Sequence, residues 1–117
     1  MSWSVDFVIS DSGRIPFNDF MEILTLDEKL EVLAAVDELV EWKNKGWLLP
    51  KSKVKHLRNK IFELKIRHKS KISRVLHFFY KNQKIIITNG FIKKTEKVPS
   101  EELNKAEKLM KKFLING

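Results

Sequence analysis

The sequence contains no cysteine, and this absence excludes a whole group of possible sites. Disulfide bonds, thiolate-bound metals and a cysteine nucleophile are ruled out, and a chain without cysteine is typical of a reducing compartment. No apolar run approaches the roughly 20 residues that span a membrane. The first residues also lack the basic and apolar regions of a signal peptide. We therefore expect a cytoplasmic protein without a membrane partner.

Repeats, low-complexity tracts and interdomain linkers are absent as well, and the 117 residues include only 4 glycines and 3 prolines. A hydrophobic content of 43% is ordinary for a globular protein, so disorder is not expected. The length suits one domain with a single core. We predict a single domain over residues 1–117.

Acidic residues are scarce in the second part of the chain. Residues 1–50 contain 10 acidic and 4 basic side chains, whereas residues 51–117 contain 5 acidic and 19 basic ones. A surface that only maintains solubility would intersperse both signs. The basic half therefore predicts a polyanionic partner, and nucleic acid is the first candidate.

Apolar periodicity predicts an α+β domain with the element order β-α-α-β-β-β-α. Residues 3–9 alternate as a strand, Pro16 suits the first turn of a helix over residues 15–24, and Thr25 with Glu28 forms a capping box for a second helix that ends near Gly46. Residues 47–59 are predicted to be a basic connector. Three strands and a closing helix that starts after Pro99 complete a four-stranded, antiparallel or mixed sheet. The first strand is expected at its edge and the helix hairpin on one of its faces.

The last three strands form a meander from Ile61 to Thr95, and it carries the chemistry. A turn at residues 68–71 would place Lys65 directly opposite Arg74. Like charges that face each other across strands are destabilising, so an anion between them is one interpretation. The other is that Arg74 only reaches Glu63 and stiffens the sheet. The sequence leaves both open.

The three histidines show no metal-ligand spacing, and no glycine-rich phosphate loop or Ser-His-Asp set is present. We expect neither a metal nor a cofactor. His77 shares a strand face with apolar residues and is predicted to lie in the core, whereas His68 lies beside the basic face and could reach a substrate.

The chain also resembles a known family. The residues that carry the resemblance are Pro50, His56-Leu57, Phe62-Glu63-Leu64-Lys65, Ser73-Arg74-Val75-Leu76, Gly90-Phe91-x-Lys93-Lys94-Thr95, Pro99 and Ala106. They are similar to the RelE/HigB superfamily of toxins from type II toxin–antitoxin modules, and most of all to its HigB-like, phage-derived branch. This sequence departs from the family in having Lys65 in place of an arginine and His77 in place of a tyrosine.

The resemblance implies a RelE-like fold and the activity of an mRNA interferase. Such an enzyme is a metal-independent endoribonuclease that cleaves mRNA in the ribosomal A site by attack of a ribose 2′-OH. The candidate catalytic residues are Lys65, Arg67, Arg74, Lys93 and Lys94, supported by Glu63 and His68.

Each candidate has an expected role. Arg74 would grip the scissile phosphate, Lys65 and Lys94 would transfer protons, and Arg67 and Lys93 would hold flanking phosphates. Neighbouring residues on an extended chain point to opposite sides, so only one of Lys93 and Lys94 can face Arg74; we expect Lys94.

The resemblance also implies partners. They are the ribosome with its mRNA and rRNA, and a cognate antitoxin, expected to be a small helix-turn-helix protein. The residues predicted to contact RNA are Lys53, Lys55, Arg58, Lys60, Lys69 and Lys71. Two other functions stay open: a toxin that inhibits a protein target such as gyrase, as ParE-like members do, and a non-catalytic nucleic-acid-binding phage accessory protein.

Overall fold

The computed structural model describes residues 2–93 and 97–116. Eight elements follow one another in this part of the chain: β1 (Ser4–Phe7), α1 (Pro16–Glu22), α2 (Leu26–Lys45), β2 (Val54–Arg58), β3 (Ile61–His68), β4 (Lys71–Tyr80), β5 (Lys84–Lys93) and α3 (Ser100–Asn116). The predicted α+β class is confirmed. Among these described helices none is long and apolar enough to cross a membrane.

The sheet has five strands in the order β1-β5-β4-β3-β2. β1 pairs with β5 in parallel and lies at the edge, as expected, and the other neighbours are antiparallel. The predicted number of four strands is wrong, because β2 forms inside the segment assigned to a connector. Val54 and His56 pair there with Leu64 and Phe62, while the exposed basic residues Lys55 and Arg58 of the same strand obscured it.

The helix hairpin covers one face of the sheet. Thr25 and Glu28 form both halves of the capping box, and Gly46 ends α2 in the left-handed region at φ 67°. Both expectations are confirmed. The hairpin buries its apolar residues against alternate positions of β3, β4 and β5, in a core that includes Phe17, Phe20, Val32, Val36, Leu39, Leu64, Ile66, Val75, Ile85 and Ile87.

Helix α3 packs on the opposite face and forms a second core. Ala106, Leu109 and Met110 lie there in one buried cluster with Leu76 and Phe78. Arg58 at the end of β2 also links the sheet to α3. Its guanidinium donates hydrogen bonds to the carboxylate of Glu107 and to the side chain of Asn104. The alternation of strand residues puts Glu63, Lys65 and Arg74 on this same face, towards the other end of β3 and β4.

A β-bulge in β5 changes which of its residues face α3. Val75 pairs with Gly90 but His77 pairs with Ile87, so two residues, Thr88 and Asn89, stand opposite Leu76. The Thr88 hydroxyl donates to the carbonyl oxygen of Leu76 at 3.1 Å. The Asn89 amide donates to a carboxylate oxygen of Glu102 in α3 at 3.0 Å. Because of this extra residue, odd-numbered positions that face the hairpin before the bulge face α3 after it.

We predict that Gly90→Ala destabilises the fold through a clash with α1. A Cβ at this position would lie 2.5 Å from Cδ2 of Phe20 and 2.8 Å from its Cγ, closer than atoms approach in proteins. Overpacking of this kind typically costs about 1–3 kcal/mol. Urea unfolding of the wild type, Gly90→Ala, Phe20→Leu and the double variant measures the coupling. In the smaller Phe20→Leu background the cost of Gly90→Ala should shrink; equal costs in both backgrounds would contradict the clash.

Candidate anion-binding site

The strand register brings three cations together on the α3 face of the sheet. Lys65 lies opposite Arg74, which confirms the pairing expected from the turn at residues 68–71. On its other side Arg74 pairs with Phe91, and Lys93 pairs with Ile72, two residues from Arg74 along β4. Lys65, Arg74 and Lys93 therefore point to the same side of three adjacent strands.

These side chains line a small pocket of about 80 Å³. Its lining consists of Lys51, Ser52, Lys53, Lys55, Glu63, Lys65, Arg74 and Lys93. Six of the eight residues are basic, one is a carboxylate and one supplies a hydroxyl. The pocket therefore has space for a small anionic group.

The Glu63–Arg74 ion pair forms the floor of this pocket. Arg74 Nη1 donates to Glu63 Oε1, and the two side chains are only 4% and 3% exposed. Glu63 lies diagonally across the strand pair from Arg74, because Glu63 pairs with Leu76 and Lys65 with Arg74. The contact that the sequence allowed between the two residues is thus present, and it fixes the orientation of the guanidinium.

The ion pair leaves hydrogen-bonding capacity on both partners. Arg74 Nε and Glu63 Oε2 are buried and have no hydrogen-bond partner among the described residues. An unsatisfied donor on a buried cation is costly, and an anion in the pocket would satisfy it. Arg74 is therefore held by Glu63 on one side and can bind an anion through its remaining donors.

We predict that removing one partner of this pair is far more harmful than removing both. Glu63→Ala or Arg74→Ala leaves a buried charge without its partner, which typically costs about 3–5 kcal/mol. In Glu63→Leu with Arg74→Met, apolar side chains of similar length replace the pair. Stability to urea should then lie closer to wild type than that of either alanine variant. A double variant that loses as much stability as the two alanine variants together would contradict a buried, mutually dependent pair.

The remaining candidates for catalysis lie at different distances from this pocket. Arg67 is exposed and points to the same side as Lys65, two residues further along β3. His68 ends β3 opposite Lys71, and strand alternation directs it to the other face. We expected Lys94, and not Lys93, to face Arg74. This expectation is wrong for Lys93, because Lys93 lines the pocket together with Arg74. Lys94 lies outside the described residues.

Three of the six residues predicted to contact RNA form ion pairs within the protein. Lys53 contacts Glu38 at 3.3 Å, Lys71 contacts Glu28 at 3.3 Å, and Arg58 contacts Glu107. The Arg58 hydrogen bond lowers the pKa of Glu107. The pKa of Glu28 is lowered mainly by the backbone N–H of Thr25, with Lys71 adding to the effect. Lys55, Lys60 and Lys69 are exposed, and among these Lys55 lines the pocket.

The contribution of Lys51 and Ser52 to the pocket was not predicted from the sequence. Both precede β2 and reach the pocket because β2 runs antiparallel to β3 beside Glu63. A signal was present: Lys51, Lys53 and Lys55 recur with the period of two that marks a strand. The prediction of a basic connector over residues 47–59 concealed this strand signal.

His77 lies on the hairpin side of the sheet and not at the pocket. It is completely buried, as predicted, and its Nδ1 donates to the carbonyl oxygen of Val75 at 3.2 Å. Nε2 has no hydrogen-bond partner among the described residues. Burial lowers the pKa of His77 from 6.5 to about 4. The exchange of tyrosine for histidine noted above therefore does not alter the face that carries Arg74.

We predict that His77 makes the fold less stable in mild acid. The unfolded chain binds a proton at this side chain below pH 6.5, whereas the folded protein resists protonation until about pH 4. Stability should therefore fall as the pH drops through this window, by up to about 1.4 kcal/mol per pH unit. The measurement is urea unfolding of wild type and His77→Phe between pH 7.5 and 4.5. The difference between the two slopes of unfolding free energy against pH gives the contribution of His77 without that of the carboxylates. Equal slopes would contradict the assignment.

The described residues contain no group of three or more histidine, aspartate and glutamate side chains that could hold a metal ion. Charge at the pocket instead comes from lysine and arginine, which attract anions. What the arrangement can do chemically is bind a phosphate-sized anion and stabilise negative charge that develops on it.

Comparison with known protein families shows a match over most of the chain. Residues 19–111 match the family described as phage derived protein Gp49-like (DUF891). The matched range includes the second half of α1, all of α2, β2 to β5 and most of α3. No curated protein matches the sequence.

Proposed function

The chain belongs to the Gp49-like family of phage-derived proteins, and on that premise we propose that it is the toxin of a type II toxin–antitoxin module. The family is associated with RelE-like toxins. We further propose that the protein is a metal-independent endoribonuclease that cleaves mRNA on the ribosome. The observation that carries this proposal is Arg74, which Glu63 orients within a pocket lined by six cations.

The proposed reaction is a transesterification in which the 5′ hydroxyl is the leaving group. The ribose 2′ oxygen loses its proton and forms a bond to the neighbouring phosphorus, while the bond from phosphorus to the 5′ oxygen breaks. The departing 5′ oxygen takes up a proton, and a 2′,3′-cyclic phosphate remains on the upstream fragment. Two proton transfers and one build-up of negative charge on phosphorus need support from the protein.

The pocket offers a group for each of these needs. Arg74 binds the phosphate oxygens, where negative charge increases in the transition state. Lys65 lies opposite it on β3 and carries the proton from the 2′ oxygen to the departing 5′ oxygen, and Lys93 holds the same or a neighbouring phosphate from β5. Glu63 positions Arg74 through the ion pair. Lys51 and Lys55 extend the positive lining outwards, towards the flanking nucleotides.

We predict that Arg74→Lys abolishes toxicity while the protein stays folded. This variant keeps a cation beside Glu63 but loses the planar fork that binds phosphate, so it avoids the stability loss of an alanine variant. Losing a transition-state contact of this kind reduces the rate by about 10²–10³. Growth after induction and mRNA cleavage in a translating extract measure the effect. Lys81→Ala, in the exposed turn between β4 and β5, is the control and should remain toxic. Full cleavage by Arg74→Lys would refute the role of Arg74.

The chemistry predicts products and metal requirements that can be measured directly. Cleavage should proceed in excess EDTA, because each step above is assigned to side chains of the protein. RNA fragments should carry a 2′,3′-cyclic phosphate or 3′-phosphate at one end and a 5′-hydroxyl at the other. Because ribosomes need magnesium, the EDTA test is made on a short RNA substrate without ribosomes. Activity that disappears with EDTA and returns with magnesium would contradict this mechanism.

A second candidate function is inhibition of a protein target, as in ParE-like toxins. One observation favours it: Leu26, Leu30 and Leu33 recur along one side of α2 and are 71%, 56% and 47% exposed. An exposed apolar stripe of this kind is typical of protein contacts. Gyrase supercoiling measured beside mRNA cleavage separates the two functions. Loss of supercoiling without RNA cleavage would favour the second.

A further inference from the structure

The outer edge of β3 is paired along only half of its length. β2 pairs with β3 between Ile61 and Leu64, and the N–H of Lys65 then donates to the carbonyl oxygen of Lys53 at 2.7 Å. No described strand pairs with residues 66–68 on this side. In the other direction β3 is fully paired with β4 as far as His68 and Lys71.

The backbone of Arg67 points towards this outer edge. Alternate residues of a strand direct their N–H and C=O groups to the same side. The Lys65 N–H faces β2, so the N–H and C=O of Arg67 face the same way, beyond the point where β2 has ended. An unpaired edge of this kind is a template for another extended segment.

A groove of about 600 Å³ runs beside this edge, between β3 and α2. Its helix wall is formed by Glu31, Ala34, Ala35 and Glu38, and its strand wall includes Leu64, Ile66 and Arg67. The two alanines have short side chains, which leaves width for the side chains of an added strand. The groove therefore combines main-chain donors and acceptors with an apolar floor.

We propose that the groove receives an extended segment of a partner protein, which pairs with Arg67 and continues the sheet beyond β2. Side chains of such a strand alternate between the two faces. Those directed at α2 meet Ala34, Ala35 and Ile66 and are apolar. Those directed at the opposite face lie beside the cations of Lys65 and Arg67 and are acidic. The segment thus alternates acidic with apolar residues.

The charges of the edge favour this occupant over a second copy of the chain or a nucleic acid. Two copies joined along this edge by a twofold axis would place Lys65 and Arg67 beside their own counterparts, and like charges across strands repel. A nucleic acid strand would meet the carboxylate of Glu31 on the helix wall, where Glu38 is already paired with Lys53. It would also leave the N–H of Arg67 without the regular partner that a peptide backbone supplies.

The bound segment would end next to Lys65 and so obstruct the anion pocket. This consequence rests on the proposed function, whereas binding of the segment does not. If the protein is a toxin, its inhibitor can block the site by adding a strand, without contacting Arg74 directly.

The first test uses a defined probe with the full-length protein. The probe is an eight-residue peptide in which glutamate alternates with valine, and the control peptide has lysine in place of glutamate. We expect the glutamate peptide to bind at least about tenfold more tightly, because opposite charges stabilise a cross-strand pair and like charges destabilise it. Hydrogen–deuterium exchange should slow across residues 61–70. Equal binding of the two peptides, or protection only at residues 26–33 of α2, would overturn the proposal.

The second test fills the groove without touching the pocket. Ala34 is exposed and lines the groove, so Ala34→Trp should fold normally and weaken the glutamate peptide about tenfold or more by blocking its path. Asp37→Trp, also exposed on α2 but outside the lining, is the matched control and should bind as wild type does. Unchanged binding by Ala34→Trp would refute the site. So would a wild-type dimer that Ala34→Trp converts to monomer, because the occupant would then be a second copy.

The two proposals can fail separately. Ala34→Trp should cleave RNA as wild type does, since Ala34 does not line the anion pocket. If the peptide binds but neither wild type nor any variant cleaves RNA, the proposed function is refuted and the strand-binding site is supported. RNA cleavage with no peptide binding would remove the strand site alone. In the wild type, saturating glutamate peptide should inhibit cleavage, and Ala34→Trp should be resistant.

Discussion

The buried ion pair between Glu63 and Arg74 is the constraint on which the site depends. A guanidinium that is 4% exposed needs a partner, and the partner must be a carboxylate on the neighbouring strand. This requirement fixes the register of β3 and β4, because a slip of one strand by one residue would put the two side chains on opposite faces of the sheet. The same register then sets Lys65 opposite Arg74. Stability and anion binding therefore use one geometric arrangement.

The two helical layers have different effects on the sheet. The hairpin covers its face with apolar side chains and holds His77 without charge, whereas α3 packs over residues such as Leu76 and Phe78 on the other face. The pocket of Arg74 lies further along that second face, where the loop before β2 supplies Lys51 and Ser52 as its wall. A cationic site next to a dry core keeps its electrostatic strength, because nearby apolar packing limits screening by water.

Local signals in the sequence were sufficient for most of the fold. The capping box at Thr25, the left-handed Gly46 and the period of two in β3 each depend on neighbouring residues, and each was predicted correctly. β2 was missed because three of its five residues, Lys55, His56 and Arg58, are polar or basic and exposed, and the charge of this run favoured a connector. The contact of Glu63 with Arg74 was foreseen as one of two alternatives. The side on which Lys93 lies could not be predicted, because it depends on a bulge that only tertiary packing reveals.

Because of that bulge, odd-numbered residues of β5 face one side of the sheet before it and the other side after it. Before Thr88, Ile85 and Ile87 belong to the core beneath the hairpin; after Asn89, Phe91 belongs to the core of α3, and Lys93 belongs to the pocket. An odd position thus faces the hairpin at one end of β5 and faces the side of α3 and the pocket at the other. In related chains, a deletion of one residue at the bulge would exchange the roles of neighbouring side chains without altering their identity. Two lysines that a sequence alignment places at the same position would then face opposite sides of the sheet.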